Sequence, residues 1–560
     1  MILSFEFHYI SQNALLENML ESICRDFEIS YKIGKKENVI NLYVKGDEQV
    51  LTDFSNFIAQ RLPLSIFFKS TAVNVVETIE NTMENINECT LCVPYTPKTI
   101  FTCQDKDSVL FLNPLINNEV GIATFNAKGV LLKENTTTII DANETKSFDT
   151  LYDEVSKLVS SGEEVYINSA SGSYVIGKID ESFKEKKDFI VIPTDLSVVE
   201  KMVVCRENEI KALASLEKPT IKFKVNLLYS SKDILAENRV KLKLSDELLL
   251  QNICERLHRD GIDFIYRDEN KSVTCKYALE IDGKFTLLPQ VEVCVLENGE
   301  ILIISGDGYS APVIKKNLKK FDVAAHAQFA SIMQEHNLFD KKVSCFYLSK
   351  TNDDVLMHIS EKTGMLDLIK FPIDKDIKEI FASISEDEIG QRLLANYKQQ
   401  FPEFYANALN YQIPDNAPNN IYTIFGLVAV ILGISDNIKD GSEKVVELAE
   451  DFGGQKGPSI DFLLIDKESI KSDFDILKLI RSSISFKLAG SDDTTLSFGL
   501  MEALAFFLSN SSDSCKENLS SEKTLLCGSF FGVRRFAELA CKNIQASSKI
   551  CLNRELPIDN

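Results

Sequence analysis

Along the first eighty residues the apolar positions change period several times. Leu3, Phe5 and Phe7 alternate, as a half-buried strand requires, and Leu15, Leu16, Met19, Leu20, Ile23, Cys24 and Phe27 then fall at helical spacing. Ile40, Leu42 and Val44 alternate again up to Gly46. A second helix places Val50, Leu51, Phe54, Phe57, Ile58 and Leu62 on one face, and Ala72 to Glu77 reads as a strand. The order β-α-β-β-α-β predicts a ferredoxin-like split unit over residues 1–80.

Residues 81–148 are polar and rich in Asn and Thr, which predicts a connector with short strands. Helical and strand patterns alternate from 149 to 312, with a helix at Leu151–Leu158 and strands at Val165–Ile167, Val175–Ile179 and Phe189–Pro193. Helices dominate from 313 to 560, interrupted by short strands such as Val343–Leu348 and Thr524–Cys527. Ser509–Ser521 reads as a polar loop. The most apolar run, Ile424–Ile434, is far shorter than the roughly twenty residues a bilayer demands, so it reads as a buried core helix.

Composition narrows the class. A chain of 560 residues implies about three to four domains, and 44% hydrophobic with 26% charged residues is a globular balance. With 83 acidic against 61 basic residues the formal charge is -22, which argues against a nucleic-acid partner and suits solubility or a basic protein surface. The start Met1-Ile-Leu-Ser-Phe-Glu-Phe has no secretory pattern, so the expected location is cytoplasmic, without membrane insertion. The 13 cysteines form no regular framework and read as buried free thiols. Only Cys89-x-x-Cys92 has metal-ligand spacing, at most a vestigial half of a zinc site.

Several local patterns, in one order along the chain, resemble the HypF family of hydrogenase-maturation carbamoyltransferases. Lys187-Asp188-Phe189-Ile190-Val191-Ile192, then Asp195-Leu196, is similar to that family's Lys-Pro-Phe-Ala-Val-Met strand and acidic turn. Glu209, Leu213 to Ser215 and Lys218-Pro219 resemble the stretch that follows it. Gly308-Tyr309-Ser310-Ala311-Pro312 resembles the entry to the last domain, Ile421 to Ile434 a later helix, and Leu526 to Phe531 the motif Leu-Ser-Gly-Gly-Val-Phe. Leu556-Pro557 resembles the family's end.

The resemblance implies an α+β multidomain protein. Its parts are an acylphosphatase-like ferredoxin unit (1–80), a degenerate zinc-finger connector (81–148), a YrdC-like α/β domain (149–312) and a truncated actin/hexokinase-type (ASKHA) carbamoyl-transfer domain (313–560). It also marks what is missing. The acylphosphatase phosphate loop falls on His8 to Asn13, with neither Gly nor Arg. The YrdC-like Lys-Gly-x-Gly-Gly run falls on Asn168 to Gly172, leaving Ser171 and Gly172 as relic phosphate-site candidates beside the hydroxyls of Ser169 and Ser173. The metal-binding imidazoles at i and i+4 of a helix fall on Ala324 and Gln328, leaving His326 alone. The next phosphate loop falls on Ser349 to Asp353, Gly426 stands where the family has an acid, and Gly528 and Ser529 are the remaining relic nucleotide-site candidates.

These losses imply a non-catalytic HypF-like scaffold or chaperone for [NiFe]-hydrogenase maturation. Its implied partners are the hydrogenase large subunit or other maturation proteins, and no cofactor is expected. Two alternatives stay open: an active carbamoyltransferase with altered site residues, needing ATP, magnesium or zinc, and a regulatory module sensing a phosphorylated metabolite.

Overall fold

The structure is a computed structural model. It describes residues 1–10, 15–36, 38–79, 128–133, 137–142, 145–169, 172–186, 188–269, 275–282, 290–306, 316, 319–374 and 376–553. The expectations for Cys89, Cys92, Ser171 and positions 308–312 lie outside these residues. The chain divides into two units, Met1–Val295 with Gly306–Ala311, and Leu296–Ser305 with Pro312–Asn560.

The first unit begins with β1 (Ile2–Tyr9), β2 (Ser30–Lys36), β3 (Val39–Lys45) and β4 (Phe68–Val76). They pair antiparallel in the order β2-β3-β1-β4, with helices Leu15–Asp26 and Glu48–Arg61 after β1 and β3. This is the ferredoxin-like arrangement that the period changes predict. Phe5 on β1 meets Phe54 of the second helix edge-on at 5.8 Å, and Asp47 caps that helix by accepting from Val50 N at 2.9 Å.

A buried carboxylate fastens this sheet to the chain that follows. Glu217 Oε1 accepts from Tyr9 Oη (3.1 Å) and Ser65 Oγ (2.5 Å), while Oε2 accepts from Ile66 N (3.0 Å). Burial pushes the Glu217 carboxyl above its ordinary value, and these hydrogen bonds offset part of that rise.

The larger sheet of this unit comprises β5 (Lys128–Lys133), β6 (Thr137–Ala142), β7 (Val165–Ser169), β8 (Gly172–Lys178), β9 (Ile190–Pro193), β10 (Val203–Val204), β11 (Thr220–Val225), β12 (Arg239–Leu242), β13 (Phe264–Asp268), β14 (Tyr277–Asp282) and β15 (Val291–Val295). Its order is β15-β11-β12-β9-β13-β8-β7-β14-β5-β6, with β10 on β11. Helices Thr145–Ser160 and Leu248–Arg259 close one face, packing Leu151, Val155, Ile253 and Leu257 against Val165, Ile167, Ile176 and Ile192. β5 pairs with β14 and β6 with β5, so the latter part of the expected connector belongs to this sheet. Their apolar alternation is too short to stand out from the surrounding Thr and Asn.

After the turn at Leu296–Glu300 comes β16 (Ile301–Gly306). The second unit's sheet holds β17 (Val343–Tyr347), β18 (Val355–Ser360), β19 (Gly364–Lys370), β20 (Lys523–Cys527) and β21 (Lys549–Leu552) in the order β19-β18-β17-β20-β21. β17 to β19 are antiparallel, whereas β20 runs parallel to β17 and β21 to β20. Every residue of β17 is buried, and Phe329 and Met333 of helix Ala324–Glu335 pack beside Cys345, Tyr347 and Leu525.

The apolar run is the helix Ile421–Ile431, buried almost throughout and capped by Asn420, which accepts from Thr423 N at 2.7 Å. It packs on helix Ile438–Asp451 so closely that a Cβ at Gly426 would lie 2.3 Å from Ile438 O. One expectation fails: Ser509–Ser521 is not a loop, because Asp493–Leu519 is a single helix. Its polar residues are accommodated by bonds that a helix allows. Ser514 Oγ and Asn518 Nδ2 donate to carbonyls four residues back, and Ser512 Oγ bonds Thr524 Oγ1 at 2.7 Å.

Gly426 supplies a test of this packing. Gly426→Ala should destabilise the second unit by about 3 kcal/mol, read as a shift of its urea transition, since the clash is with backbone. A shift within about 0.5 kcal/mol would show that the two helices are not held at this distance.

Candidate functional site

At the C-terminal end of β17 the chain turns through Leu348–Asp354 into β18, where the resemblance expects a phosphate loop. Parallel pairing brings the end of β20, with Gly528 and Ser529, alongside. Phe530 N donates to Leu348 O at 3.0 Å. Gly528 has φ +103°, and a Cβ there would lie 2.1 Å from Leu348 O, so only glycine fits.

Backbone N–H groups hold a phosphate only when they are free to point at it. Here they are engaged within the protein. Ser349 N donates to Asp354 Oδ1 (2.6 Å), Lys350 N to Ser529 Oγ (2.8 Å), and Thr351 N and Asn352 N to Ser349 Oγ (3.0 Å each). Asp354 Oδ2 also accepts from Ile421 N (2.7 Å), and Asp353 Oδ1 accepts from Asn419 N (2.7 Å). Carboxylates of this chain therefore sit at the N-terminus of helix Ile421–Ile431, where the helix dipole favours an anion. The predicted relic residues Gly528 and Ser529 are brought to the loop, and the Ser529 hydroxyl is spent on it.

In the first unit, the predicted candidate Gly172 opens β8 opposite Ser169 of β7. The nearby hydroxyls face protein groups. Ser169 Oγ donates to Glu247 Oε1 (2.6 Å), Tyr174 Oη to the same oxygen (2.7 Å), and Ser173 Oγ to Asn168 Oδ1 (3.0 Å). Glu247 belongs to a buried ionic cluster that sequence reasoning missed. Asp246 lies 2.9 Å from Lys243 Nζ and 3.2 Å from Arg267 Nη1, and the Arg267 guanidinium lies 3.9 Å from the Tyr174 ring centroid. Lys243 also bonds Gln290, and Arg267 reaches the half-exposed Glu269 at 2.9 Å. Burial would raise the Asp246 carboxyl, but Lys243 and Arg267 outweigh it and hold it down to about 2. Burial also lifts the Tyr174 phenol well above its usual value. The available signal was Arg267 at the end of the otherwise apolar Phe264-Ile265-Tyr266.

His326, the relic of the metal helix, bonds Asp367 through Nε2 at 2.9 Å, and Lys370 lies 3.3 Å from the same carboxylate. Burial would raise the Asp367 carboxyl, yet His326 and Lys370 hold it below its ordinary value. Gln328 is buried, and its Nε2 finds no acceptor among the described residues. One imidazole, one carboxylate and an amide do not make a transition-metal site. Among the described residues no three His, Cys, Asp or Glu side chains converge to hold a metal.

No family model matches the chain. The protein HydE of Wolinella succinogenes is 25% identical over 509 residues, spanning 88% of this chain and 87% of HydE. A crystal structure of full-length HypF in a phosphate- and nucleotide-bound form superposes with a TM-score of 0.62 at 12% identity, over 100% of this chain and 96% of that one. The chain has a HypF-like fold. The HypF of T. kodakarensis gives a TM-score of 0.60 at 12% identity, over 99% of this chain and 96% of its own. The HypF-like fold thus runs through the whole chain.

The ionic cluster of this HypF-like chain contributes to its acid stability. The Asp246 carboxyl ionises at about 2 in the folded protein, against about 3.9 in an unfolded chain. Its contribution is therefore present above about pH 4 and lost as pH falls toward 2. Asp246→Asn, which leaves Lys243 and Arg267 without their shared anion, should cost about 3–5 kcal/mol in urea unfolding at neutral pH and flatten that acid dependence. A loss under about 1 kcal/mol would mean that the cluster is not buried as described.

Proposed function

We propose that this protein is a non-catalytic, cytoplasmic HypF-like accessory of [NiFe]-hydrogenase maturation. It acts as a scaffold or chaperone for the hydrogenase large subunit or for other maturation proteins. The observation that carries this reading is the engagement of four consecutive amides, Ser349 to Asn352, by side-chain oxygens of the same chain. A nucleotide phosphate at this loop would have to displace Asp354, Ser529 and Ser349, and would meet the carboxylates of Asp353 and Asp354. Phosphoryl and carbamoyl transfer rest on phosphate cradling and metal charge stabilisation, and the arrangement offers neither.

His326 supports the same reading. Its ring is paired with Asp367, and among the described residues no three His, Cys, Asp or Glu side chains converge to hold a metal. The family position of an acid at Gly426 is closed by Ile438 O, so no small rearrangement restores it. The reading needs no cofactor, and the surface of the protein carries the function.

Complementation of a deletion strain tests it, with hydrogen uptake and large-subunit processing as readouts. Deletion should leave unprocessed large subunit. His326→Ala, and Ser529→Ala at the loop, should restore at least about half of wild-type uptake if they accumulate normally, because neither side chain takes part in chemistry. Normal accumulation of His326→Ala with no uptake would contradict the scaffold reading and point to a repurposed active site.

A further inference from the structure

The sheet of the ferredoxin-like unit has two edges, and they are built differently. β2 carries Lys32, Lys35 and Lys36, the charged kind of edge that discourages pairing with another chain. β4 closes the other side and, among the described residues, pairs with β1 alone. From Ser70 to Val76 it runs opposite His8 to Ile2 without a register shift, so no bulge turns this stretch away. Thr71-Ala72-Val73-Asn74-Val75-Val76 holds no charge, no proline and no glycine. Half of the backbone groups of an edge strand point away from its single neighbour, so β4 offers a ladder that none of the usual devices guards.

The side chains repeat the contrast. Val73 stands opposite Phe5 and Val75 opposite Leu3, so both lie on the face that the helices cover. Phe5 is buried there against Phe54, yet Val73 and Val75 are 54% and 66% exposed. Thr71, on the same face, is exposed too. Helix Glu48–Arg61 thus covers the middle of the sheet and leaves a β-branched row open along its edge. A further strand beside β4 would cover that row and satisfy the ladder together.

We propose that β4 is a self-pairing edge, and that two copies of this chain join there antiparallel about a two-fold axis at Val73. The strand is self-complementary in that register. Val73 meets its own copy and Thr71 meets Val75 twice, which sets β-branched against β-branched side chains. On the other face Ala72 meets Asn74. Just outside, the sequence puts Lys69 and Glu77 at mutually opposed positions, an opposite-charge pair that the axis repeats. Centring the axis at Ala72 or Asn74 instead sets Lys69 against Val75 or Ile79 and loses both pairs. A formal charge of -22 opposes self-association in general, whereas this strand lets two copies approach without like charges face to face. The interface is isologous, so assembly stops at the dimer. It does not depend on whether the protein is catalytic.

Sedimentation equilibrium of the full chain over about 1–100 µM tests the proposal. Wild-type protein should pass from monomer to dimer within this range. Val73→Lys sets two like charges on the axis and should raise the dissociation constant roughly tenfold or more, with an unchanged melting midpoint because the side chain is half-exposed. Lys69→Glu should weaken the dimer, and adding Glu77→Lys should restore it. Wild-type protein that stays monomeric throughout overturns the proposal. So does a dimer that Val73→Lys leaves intact, because its interface would lie elsewhere. A charge swap that fails to restore pairing overturns the register and the self-pairing built on it.

Discussion

Asp354 accepts from two backbone amides that belong to different parts of the second unit, Ser349 N on the turn after β17 and Ile421 N at the start of the buried apolar helix. Hydrogen bonds to a charged acceptor contribute about 1.5–3 kcal/mol each, and this carboxylate makes both while buried. The turn therefore cannot carry Asp354 away without freeing the first amide of the helix, and that amide cannot receive an external anion without releasing Asp354. Ser529 and Ser349 complete the lock on the intervening amides. The chemistry at this end of the sheet follows from that one constraint.

The first unit reaches a comparable end by different means. At the β7–β8 hairpin, Ser169 and Tyr174 both donate to Glu247. Behind them Asp246, Lys243 and Arg267 form a buried ionic cluster whose charges answer one another. Buried ion pairs of this kind add little net stability over an apolar core, but removing one member is costly. Such a cluster fixes conformation. In both units, groups suited to an external anion are turned onto the protein itself.

Much of the fold was legible from periodicity. The split β-α-β-β-α-β unit, the buried helix at Ile421–Ile431 and the strands β17 and β20 all announced themselves through apolar spacing. The helix at Asp493–Leu519 was hidden because its C-terminal half is built from Ser and Asn. These satisfy themselves on backbone carbonyls and neighbouring hydroxyls, a tertiary accommodation invisible to a propensity reading. The relic positions Gly172, Gly528, Ser529 and His326 were found by resemblance, and the structure places each at a strand end or on the expected helix. The ionic cluster was not found, because Arg267 lies 21 residues from Asp246 in sequence and only the pairing of β12 with β9 and of β9 with β13 brings the end of β12 beside it.

The central claim is that a HypF-like fold here encloses anion sites already filled from within. Isothermal titration of the full chain with ATP and magnesium tests it most directly. The account predicts no binding tighter than about millimolar, or roughly -4 kcal/mol. A stoichiometric micromolar site would mean that the loop at Ser349–Asp354 opens to a nucleotide, and would contradict it.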